Sequence, residues 1–289
     1  MELTAPCAPK LNLYLRVVGR RSDGYHELET IFQALDGGDT LTVRPAGELT
    51  LACDDPELPV DGSNLVLKAA SALRDFIGRD EWGAAFDLRK RIPSGAGLGG
   101  GSSNAAGALL LLNRLWRLGL DRESLAVVAA RVGSDVPFFL YGGAAAATGR
   151  GEKLRPIRTS PLCFVILKPA VSVSTPWAYG RWQKERCAGP SLGEFESILA
   201  RGDPAEVAAG LRNDLEPGVA EQVPEISRCR EWLLAAGALG ARMTGSGSAV
   251  FGIAGDASHA ERIAGWGRPP GQAWVASANQ VRPTCDPHG

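Results

Sequence analysis

The sequence predicts an α+β fold made of two domains. Strand-like and helical segments interleave in both halves of the chain, without the regular alternation that a parallel sheet requires. The 289 residues, of which 45% are hydrophobic and 22% charged, can bury a core sufficient for one large or two modest domains. The composition changes around residues 149–151, so we expect one domain over residues 1–152 and a second over residues 153–289.

The N-terminal half is predicted to contain short strands followed by helices. Apolar or alternating segments predict strands at residues 11–18, 29–35, 39–44 and 84–92. Helical patterns cover residues 64–76, 103–118 and 121–131, and a further helix would begin at Ser134 and Asp135. For the helix at 103–118 we expect Ser102 or Ser103 as the N-cap and Gly119 at the end.

The C-terminal half is predicted to begin with a buried strand at residues 162–168. Helical segments dominate residues 176–234, and a run of glycine and serine at 243–251 lies between strand-like residues. Residues 256–266 are predicted to form a helix, and the tail at 282–289 is expected to be disordered.

A glycine-rich run directly before a predicted helix carries the strongest functional signal, with five glycines in residues 95–101. Glycine lets the backbone approach an anion closely, and free N–H groups at the start of a helix stabilise negative charge. A turn that merely joins two elements rarely needs so many glycines. We therefore expect phosphate binding by Pro93, Ser94, Gly95, Ala96, Gly97, Leu98, Gly99, Gly100, Gly101, Ser102 and Ser103.

Two better-known phosphate-binding patterns do not fit this run. A P-loop requires a lysine after its last glycine, and none follows a glycine between Gly95 and Gly107. The dinucleotide pattern G-x-G-x-x-G is matched by Gly95, Gly97 and Gly100. That pattern, however, needs a following strand that ends in an acidic residue, and another helix is predicted instead. A nicotinamide cofactor is therefore disfavoured.

Composition and charge favour a small-molecule ligand. The net charge of −1 gives no basic surface for nucleic acid. No apolar stretch reaches membrane-spanning length and the N-terminus lacks a signal-peptide core, so we expect a soluble, cytoplasmic protein. The six cysteines and three histidines are scattered singly, which argues against structural zinc and disulfides.

Three motifs, taken together, resemble those of a known superfamily. They are Ala8-Pro-Lys-Leu-Asn12, residues 93–106, and Thr244-Gly-Ser-Gly-Ser-Ala249. In this order they resemble the galactokinase, homoserine kinase, mevalonate kinase and phosphomevalonate kinase (GHMP) superfamily. The resemblance implies a two-domain GHMP kinase fold. Its N-terminal domain would be ribosomal-S5-like and its C-terminal domain ferredoxin-like, with the active site between them.

Five hallmarks make the sequence most similar to one family of that superfamily, the 4-diphosphocytidyl-2-C-methyl-D-erythritol kinases. These hallmarks lie at residues 9–13, 21–26, 97–106, 133–137 and 213–216. The resemblance implies phosphoryl transfer from ATP, with Mg²⁺, to the 2-hydroxyl of 4-diphosphocytidyl-2-C-methyl-D-erythritol in the non-mevalonate isoprenoid pathway. The N-terminal domain would bind ATP and carry the catalytic residues, and the C-terminal domain would bind the substrate.

Phosphoryl transfer needs a carboxylate near the attacking hydroxyl and fixed positive charge near the γ-phosphate. Asp135 and Lys10 match the catalytic pair of the family. The resemblance implies that Asp135 accepts the hydroxyl proton and that Lys10 keeps the aspartate ionised while neutralising the transferring group. Taken singly, Asp135 could instead cap a helix and Lys10 could be a solvated surface residue.

The resemblance also assigns the ligand contacts. Tyr25, His26 and Tyr179 match the positions that hold cytosine, a flat ring suited to stacking and hydrogen bonds. Asn12 and Thr175 would contact the erythritol and diphosphate end, and Asn64, Leu65 and Lys90 would line the adenine pocket.

No acidic side chain is assigned as a metal ligand. Mg²⁺ is expected to arrive as its ATP complex, with Ser102 or Ser103 as a further ligand. Two alternatives stay open at this point. One is another GHMP kinase of the mevalonate or homoserine type, and the other is an inactive family member that only binds ligand. The presence of both Lys10 and Asp135 argues against inactivity.

Overall fold

The computed structural model describes residues 1–184 and 189–278. In these residues the strands are β1 (Leu3–Cys7), β2 (Lys10–Arg20), β3 (His26–Ala34), β4 (Asp39–Ala46), β5 (Leu49–Cys53), β6 (Gly83–Arg89), β7 (Ala144–Gly149), β8 (Lys153–Ile157), β9 (Leu162–Lys168), β10 (Arg212–Asn213), β11 (Gly240–Met243), β12 (Val250–Ala254) and β13 (Gln272–Ala278). The predicted disordered tail at 282–289 lies outside the described residues.

The helices of the same ranges interleave with these strands, which confirms the predicted α+β class. They are α1 (Leu65–Ile77), α2 (Gly100–Leu115), α3 (Arg122–Val132), α4 (Val136–Tyr141), α5 (Thr175–Gly180), α6 (Leu192–Arg201), α7 (Pro204–Gly210), α8 (Glu216–Gln222), α9 (Pro224–Ala235) and α10 (Ala257–Ala264). No helix in the described part of the chain is both long and apolar enough to cross a membrane.

The first sheet has the strand order β1-β4-β6-β5, in which only β5 runs parallel to its neighbour. Helices α1 and α2 pack against this sheet, and α3 and α4 complete the same apolar core. Helix α2 is the centre of that core, because its residues 103–112 are all buried. The end of α2 that follows the glycine run is thereby fixed in place.

The second sheet has the order β10-β2-β3-β7-β8 and carries the N-terminal motif on β2. Successive residues of a strand point to opposite faces, so Lys10 and Asn12 lie on one face of β2. Strand β10 comes from the second half of the chain and pairs in parallel with β2 at Tyr14 and Leu15. Strand β8 pairs with β7 across the boundary expected at residue 152. That boundary stays a prediction, and the sheet itself continues to Ile157.

The third sheet is antiparallel, in the order β11-β12-β9-β13. Strand β9 coincides with the buried strand predicted at 162–168. It is apolar at every position from 162 to 167 because both faces are covered. Phe164 and Ile166 join the core shared with the second sheet, whereas Val165 and Leu167 join the core under α9 and α10.

The N-cap predicted for α2 is wrong. The helix begins at Gly100, three residues earlier than expected, and its N-cap is Gly99, with φ 72° and no side-chain capping bond. The Ser103 N–H already donates to the Gly99 carbonyl (2.9 Å), so Ser102 and Ser103 belong to the first turn rather than to the cap. The helix also ends at Leu115, before Gly119. By contrast, α3 begins where the helical pattern at 121–131 predicts, with Asp121 as its N-cap accepting from the Ser124 N–H.

A buried carboxylate, Asp39, anchors the segment between β6 and the glycine run. Its oxygens accept the backbone N–H groups of Arg91 (2.7 Å) and Ile92 (2.8 Å), the Asn104 amide (2.9 Å) and the Lys90 ammonium. These bonds replace sheet pairing, and β6 therefore ends at Arg89 rather than at residue 92. The cluster joins the start of the glycine run to helix α2.

Removal of this carboxylate is expected to destabilise the protein strongly. Asp39→Ala removes the acceptor of the nearly buried Lys90 ammonium, of the buried Ile92 N–H and of the part-buried Arg91 N–H. We therefore expect a loss of about 3 kcal/mol in the free energy of unfolding. Urea denaturation measures it. The control is Asp87→Ala, which removes an exposed ion pair between Asp87 and Arg89, both on β6. This change should lower the free energy of unfolding by less than about 1 kcal/mol. Equal losses for the two variants would contradict the role given to Asp39.

Candidate active site

A cleft of about 770 Å³ lies where the second sheet, the glycine run and the third sheet meet. Strands β2 and β3 form its floor, and residues 95–99 and 245–247 form one wall. Residues 173–182 and the turn at Arg150 line the other end. The cleft brings together Lys10, Asn12, Tyr25, His26, Gly95, Gly97, Gly99, Asp135, Thr175 and Tyr179 among the residues predicted to be functional.

The glycine run forms a loop whose conformation requires glycine. Gly95, Gly97 and Gly99 have φ values of 62°, 77° and 72°, a region that side chains disfavour. At Gly97 there is also no space, since a Cβ would lie 2.4 Å from the Thr244 carbonyl oxygen. The loop is further tied to the third motif by the Ala249 N–H, which donates to the Ala96 carbonyl (3.1 Å). Gly95, Gly97 and Gly99 thus line the cleft, whereas Ala96 and Leu98 are buried in the apolar core. Helix α2 starts at Gly100.

Lys10 is almost fully buried, with 4% of its surface exposed. This rules out the alternative of a solvated surface lysine. Its ammonium donates to Asn12 Oδ1 (2.6 Å), lies 3.4 Å from Asp135 Oδ2 and sits 5.2 Å from the centre of the Phe32 ring. Its backbone N–H donates to the Leu98 carbonyl (2.9 Å). The glycine loop is therefore held directly against the residue that carries the buried charge.

Asp135 occupies the N-cap position of α4, but its side chain makes no capping hydrogen bond. Asp135 therefore stands at the N-cap position that the alternative gave it, but its carboxylate is not used for capping. The carboxylate is one-third exposed and points toward Lys10 in the cleft. The two candidate catalytic side chains, which are 125 positions apart in the sequence, are thus brought into ion-pair distance.

Asn12 is held in one orientation by two threonines that sequence analysis did not assign. Its amide donates to Thr30 Oγ1 (2.8 Å), which in turn donates to the Tyr14 carbonyl (2.6 Å), and its backbone N–H donates to Thr244 Oγ1 (2.9 Å). Thr244 belongs to the third motif, where its contact could have been suspected. Thr30 lies in a strand of ordinary composition and gave no signal.

The far end of the cleft is aromatic. His26 stacks on Tyr179 with ring centres 5.0 Å apart, and the Trp182 ring meets His26 edge-on at 5.8 Å. Tyr25 is 55% exposed at the rim, and the Arg150 guanidinium lies 4.7 Å from its ring centre. Trp182 and Arg150 were missed, because neither lies in a recognised motif. Trp182 Nε1 is buried and has no hydrogen-bond partner among the described residues.

Burial sets the protonation of this aromatic end. It lowers the pKa of His26, with a smaller contribution from the Arg20 guanidinium, so the imidazole is neutral at pH 7. Burial also raises the pKa of Tyr179, reinforced by the Asp135 carboxylate, so its hydroxyl keeps its proton. A neutral imidazole has one donor and one acceptor nitrogen. The aromatic end therefore presents uncharged stacking and hydrogen-bonding groups.

Thr175 lies between the aromatic end and the glycine loop. Ser174 caps the short helix α5, and this cap places Thr175 Oγ1 3.0 Å from Ser246 Oγ of the third motif. Both residues line the cleft. Ser246 was not assigned a role from the sequence, although it belongs to a motif that the sequence identified.

The three residues predicted to contact adenine lie near the start of α2 and do not line the cleft described above. A Cβ at Gly101 would lie 3.2 Å from Leu65, and one at Gly100 would lie 3.3 Å from Lys90 Nζ. The Asn64 side chain caps α1 through the Val66 N–H (2.9 Å), and the Lys90 ammonium is bound to Asp39 and Asn104. Their assignment to adenine stays a prediction.

The described residues contain no group of three or more His, Cys, Asp or Glu side chains able to hold a metal ion. Ser102 and Ser103 lie in the first turn of α2, beside the glycine loop. Their hydroxyls are of the oxygen type that Mg²⁺ accepts, but a magnesium ion here would depend on phosphate oxygens for most of its ligands.

Comparison with known proteins places this geometry in a family. Residues 64–143 match the GHMP kinases N terminal domain, and residues 195–265 match the GHMP kinases C terminal domain. A 4-diphosphocytidyl-2-C-methyl-D-erythritol kinase from Gloeobacter violaceus is 41% identical over 263 residues, which cover 89% of this chain and 87% of that protein.

Solved structures show the same relationship. A crystal structure of 4-(cytidine 5'-diphospho)-2C-methyl-D-erythritol kinase is 39% identical, with a TM-score of 0.79 over 96% of this chain and 98% of the other. A homoserine kinase from Cytophaga hutchinsonii has a TM-score of 0.73 at 20% identity, over 96% and 95% of the two chains. The second comparison shows a shared fold alone.

The geometry of the glycine loop predicts that Gly97→Ala impairs nucleotide binding. The added methyl group would displace the Thr244 carbonyl and would strain a residue with φ 77°. We expect at least about a tenfold weaker affinity for ATP in titration calorimetry.

The matched control is Gly78→Ala, which imposes a similar strain (φ 65°) at the end of α1, where a Cβ meets nothing within 4 Å. It should lower stability slightly and leave ATP affinity unchanged. A folded Gly97→Ala protein with normal ATP affinity would contradict phosphate binding by this loop.

Proposed function

The chain belongs to the 4-diphosphocytidyl-2-C-methyl-D-erythritol kinase family of the GHMP kinases, and from this premise we propose how its cleft transfers the γ-phosphoryl group of ATP to the 2-hydroxyl of 4-diphosphocytidyl-2-C-methyl-D-erythritol. One observation carries the residue assignment: Lys10 Nζ and Asp135 Oδ2 lie 3.4 Å apart, between the glycine loop and the aromatic end. A phosphate donor on one side and a cytidine-bearing acceptor on the other would meet at this pair.

Asp135 is proposed to be the general base. A carboxylate that makes no capping hydrogen bond and is one-third exposed can accept a proton from a hydroxyl bound in the cleft. Loss of that proton makes the 2-hydroxyl oxygen a better nucleophile as its bond to the γ-phosphorus forms and the bond to the β-phosphate oxygen breaks. The leaving group is ADP, and the proton remains on the Asp135 carboxyl until solvent removes it.

Lys10 is proposed to stabilise the charge of the transferring group. Its ammonium is nearly buried, so its field is weakly screened by solvent. It lies next to Asp135 and beside the backbone of Gly99, where a Cβ would be 3.0 Å from its Cγ. This position suits contact with both the attacking oxygen and the γ-phosphate. Asn12, which accepts from the same ammonium, would hold its orientation.

The phosphates of ATP are proposed to lie along the glycine loop and the first turn of α2. The three positive φ values are those of a glycine backbone that can approach an anion closely, and the helix start adds partial positive charge. We propose that Mg²⁺ enters with ATP and that Ser102 or Ser103 contributes one ligand. The remaining ligands would be phosphate oxygens and water.

The aromatic end is proposed to bind the cytosine ring. Tyr25 and Tyr179 offer ring faces, and the neutral His26 offers a donor and an acceptor to the polar edge of the base. Trp182 Nε1 adds a buried donor in need of an acceptor such as the base carbonyl. Mevalonate and homoserine have no ring to occupy these groups, so this end favours the cytidine-bearing acceptor over the two rivals.

The proposed base predicts that Asp135→Asn loses nearly all turnover. The amide keeps the size of the side chain but accepts a proton poorly, so kcat should fall about 10²- to 10⁴-fold while ATP affinity stays within a few-fold. Steady-state kinetics and calorimetry measure the two quantities. Asp121→Asn is the control, because Asp121 also stands at a helix start but caps α3. A kcat above about one-tenth of the parent value would show that Asp135 is not the base.

The aromatic end predicts that cytidine nucleotides bind on their own. CMP should compete with the alcohol substrate but not with ATP, and Tyr25→Ala should weaken CMP binding by about 1 to 3 kcal/mol through the loss of one stacked ring. Trp266→Ala, which removes an exposed aromatic residue outside the cleft, should have no effect. Failure of CMP to compete, or better phosphorylation of mevalonate, would overturn the assignment of the acceptor site.

A further inference from the structure

The segment Asn213-Asp-Leu-Glu216 was identified in the sequence, yet the proposed mechanism gives it no task. We propose that Asn213 is a positioning residue, whose amide group holds the loop of residues 244–248 against Lys10, Asn12 and the glycine loop in the geometry that phosphoryl transfer requires. The expected effect on kcat rests on the proposed kinase reaction. The expected effect on the position of the loop does not.

Asn213 is buried, with 5% of its surface exposed, and its side chain is fully engaged. Nδ2 donates to the Met243 carbonyl (2.7 Å) and to the Gly245 carbonyl (2.8 Å), while Oδ1 accepts from the Leu215 N–H (3.0 Å). An asparagine amide has two N–H donors, and each is used on a different carbonyl of the loop. The side chain therefore holds the end of β11, at Met243, and the loop itself, at Gly245.

The loop that Asn213 holds contributes to every functional part of the cleft. A Cβ at Gly245 would lie 3.2 Å from Asn12 Oδ1, 3.2 Å from the Gly97 carbonyl and 3.5 Å from Lys10 Nζ. Thr244 Oγ1 accepts the Asn12 N–H, and Ser246 Oγ meets Thr175 Oγ1. A shift of this loop would be felt at the catalytic lysine, at the phosphate-binding loop and at the acceptor end.

The same segment is also fastened to β2, which carries Lys10. Asn213 pairs with Leu15, the Asp214 N–H donates to the Leu15 carbonyl (2.9 Å), and Asp214 Oδ2 accepts the Val17 N–H (3.0 Å). Glu216 Oε2 accepts the Met243 N–H (2.7 Å) at the entrance to the loop. Four consecutive residues thus connect the strand of the catalytic lysine with the loop that packs against its ammonium.

Asn213 does not line the cleft, so it is not a catalytic residue. Its effect must pass through the positions of Gly245 and Thr244. Phosphoryl transfer depends on alignment to within a fraction of an ångström, and a misplacement of about 1 Å can cost about 10²-fold in rate. The glycine loop and the aromatic end keep contacts that do not involve Asn213, namely the bond from the Ala249 N–H to the Ala96 carbonyl (3.1 Å) and the stack of His26 on Tyr179. A shift of the 244–248 loop is therefore expected to disturb alignment more than the binding of ATP or of the base.

The test uses Asn213→Asp in the full-length protein, with ATP and 4-diphosphocytidyl-2-C-methyl-D-erythritol as substrates. Aspartate has nearly the same shape and keeps an acceptor for the Leu215 N–H, but it lacks both donors to the loop. We expect kcat to fall about 10- to 100-fold, with KM for each substrate within about threefold of the parent value.

The matched control is Asn113→Asp. Asn113 makes the same kinds of bonds, donating to the Leu120 carbonyl (2.9 Å) and accepting the Leu120 N–H (3.0 Å), at the end of α2 far along the chain from the third motif. This variant should be destabilised but should keep its kcat within about twofold, when both proteins are assayed well below their melting temperatures.

Hydrogen exchange provides a readout that does not depend on activity. In Asn213→Asp, exchange at the amides of residues 243–248 should be at least about tenfold faster, while peptides from the first sheet stay at parental rates. If Asn213→Asp does not fold, Asn213→Ser is measured in the same assays. The serine hydroxyl is too short to reach both the Met243 and the Gly245 carbonyls.

The outcomes separate the two proposals. If the parent enzyme fails to phosphorylate this acceptor, the proposed function is wrong, while locally faster exchange still supports the role of Asn213 in holding the loop. If the parent is active and a folded Asn213 variant keeps its kcat, or if exchange rises equally throughout the protein, the positioning role is overturned.

Discussion

The buried ammonium of Lys10 is the constraint around which the cleft is organised. A cation removed from water is unfavourable unless polar groups surround it, and here Asn12 Oδ1, Asp135 and the Phe32 ring take that part. The positions of Asn12 and Asp135 are in turn fixed by their own contacts. The Thr30 hydroxyl fixes the Asn12 amide, and the apolar core around α2 and α4 fixes the position of Asp135.

Three sheets meet at this charge, each with a different contribution. The second sheet supplies Lys10 and its oxygen partner, the first sheet and its helices hold the glycine loop, and the third sheet leads into the loop at 244–248. Close backbone approach between the two loops is possible because glycine stands at 97 and at 245, where side chains would meet a carbonyl or the lysine itself. The arrangement around Lys10 therefore depends on close packing of the two loops as well as on charge.

Sequence reasoning predicted the glycine loop before α2, the pairing of Lys10 with Asp135 and most longer elements, because their patterns are local or belong to recognisable motifs. Phosphate binding by that loop stays a prediction. It placed the α2 cap wrongly, since a glycine in the left-handed region can start a helix without any capping side chain. It could not find Thr30 or Trp182, whose roles come from strand register and tertiary packing. The two-residue strand β10 is too short for any periodicity, although it matters for the site.

The placement of β10 also limits how the molecule can move. Strand β10, from the second half of the chain, is hydrogen-bonded to β2 in the second sheet. The side chain of its residue Asn213 donates to the carbonyls of Met243 and Gly245. A hinge rotation that swung the third sheet away from the second would have to break all these bonds together. Tyr25 and Arg150, which line the cleft at its rim, take no part in that connection. One short segment therefore ties the strand that carries Lys10 to the loop that packs against its ammonium.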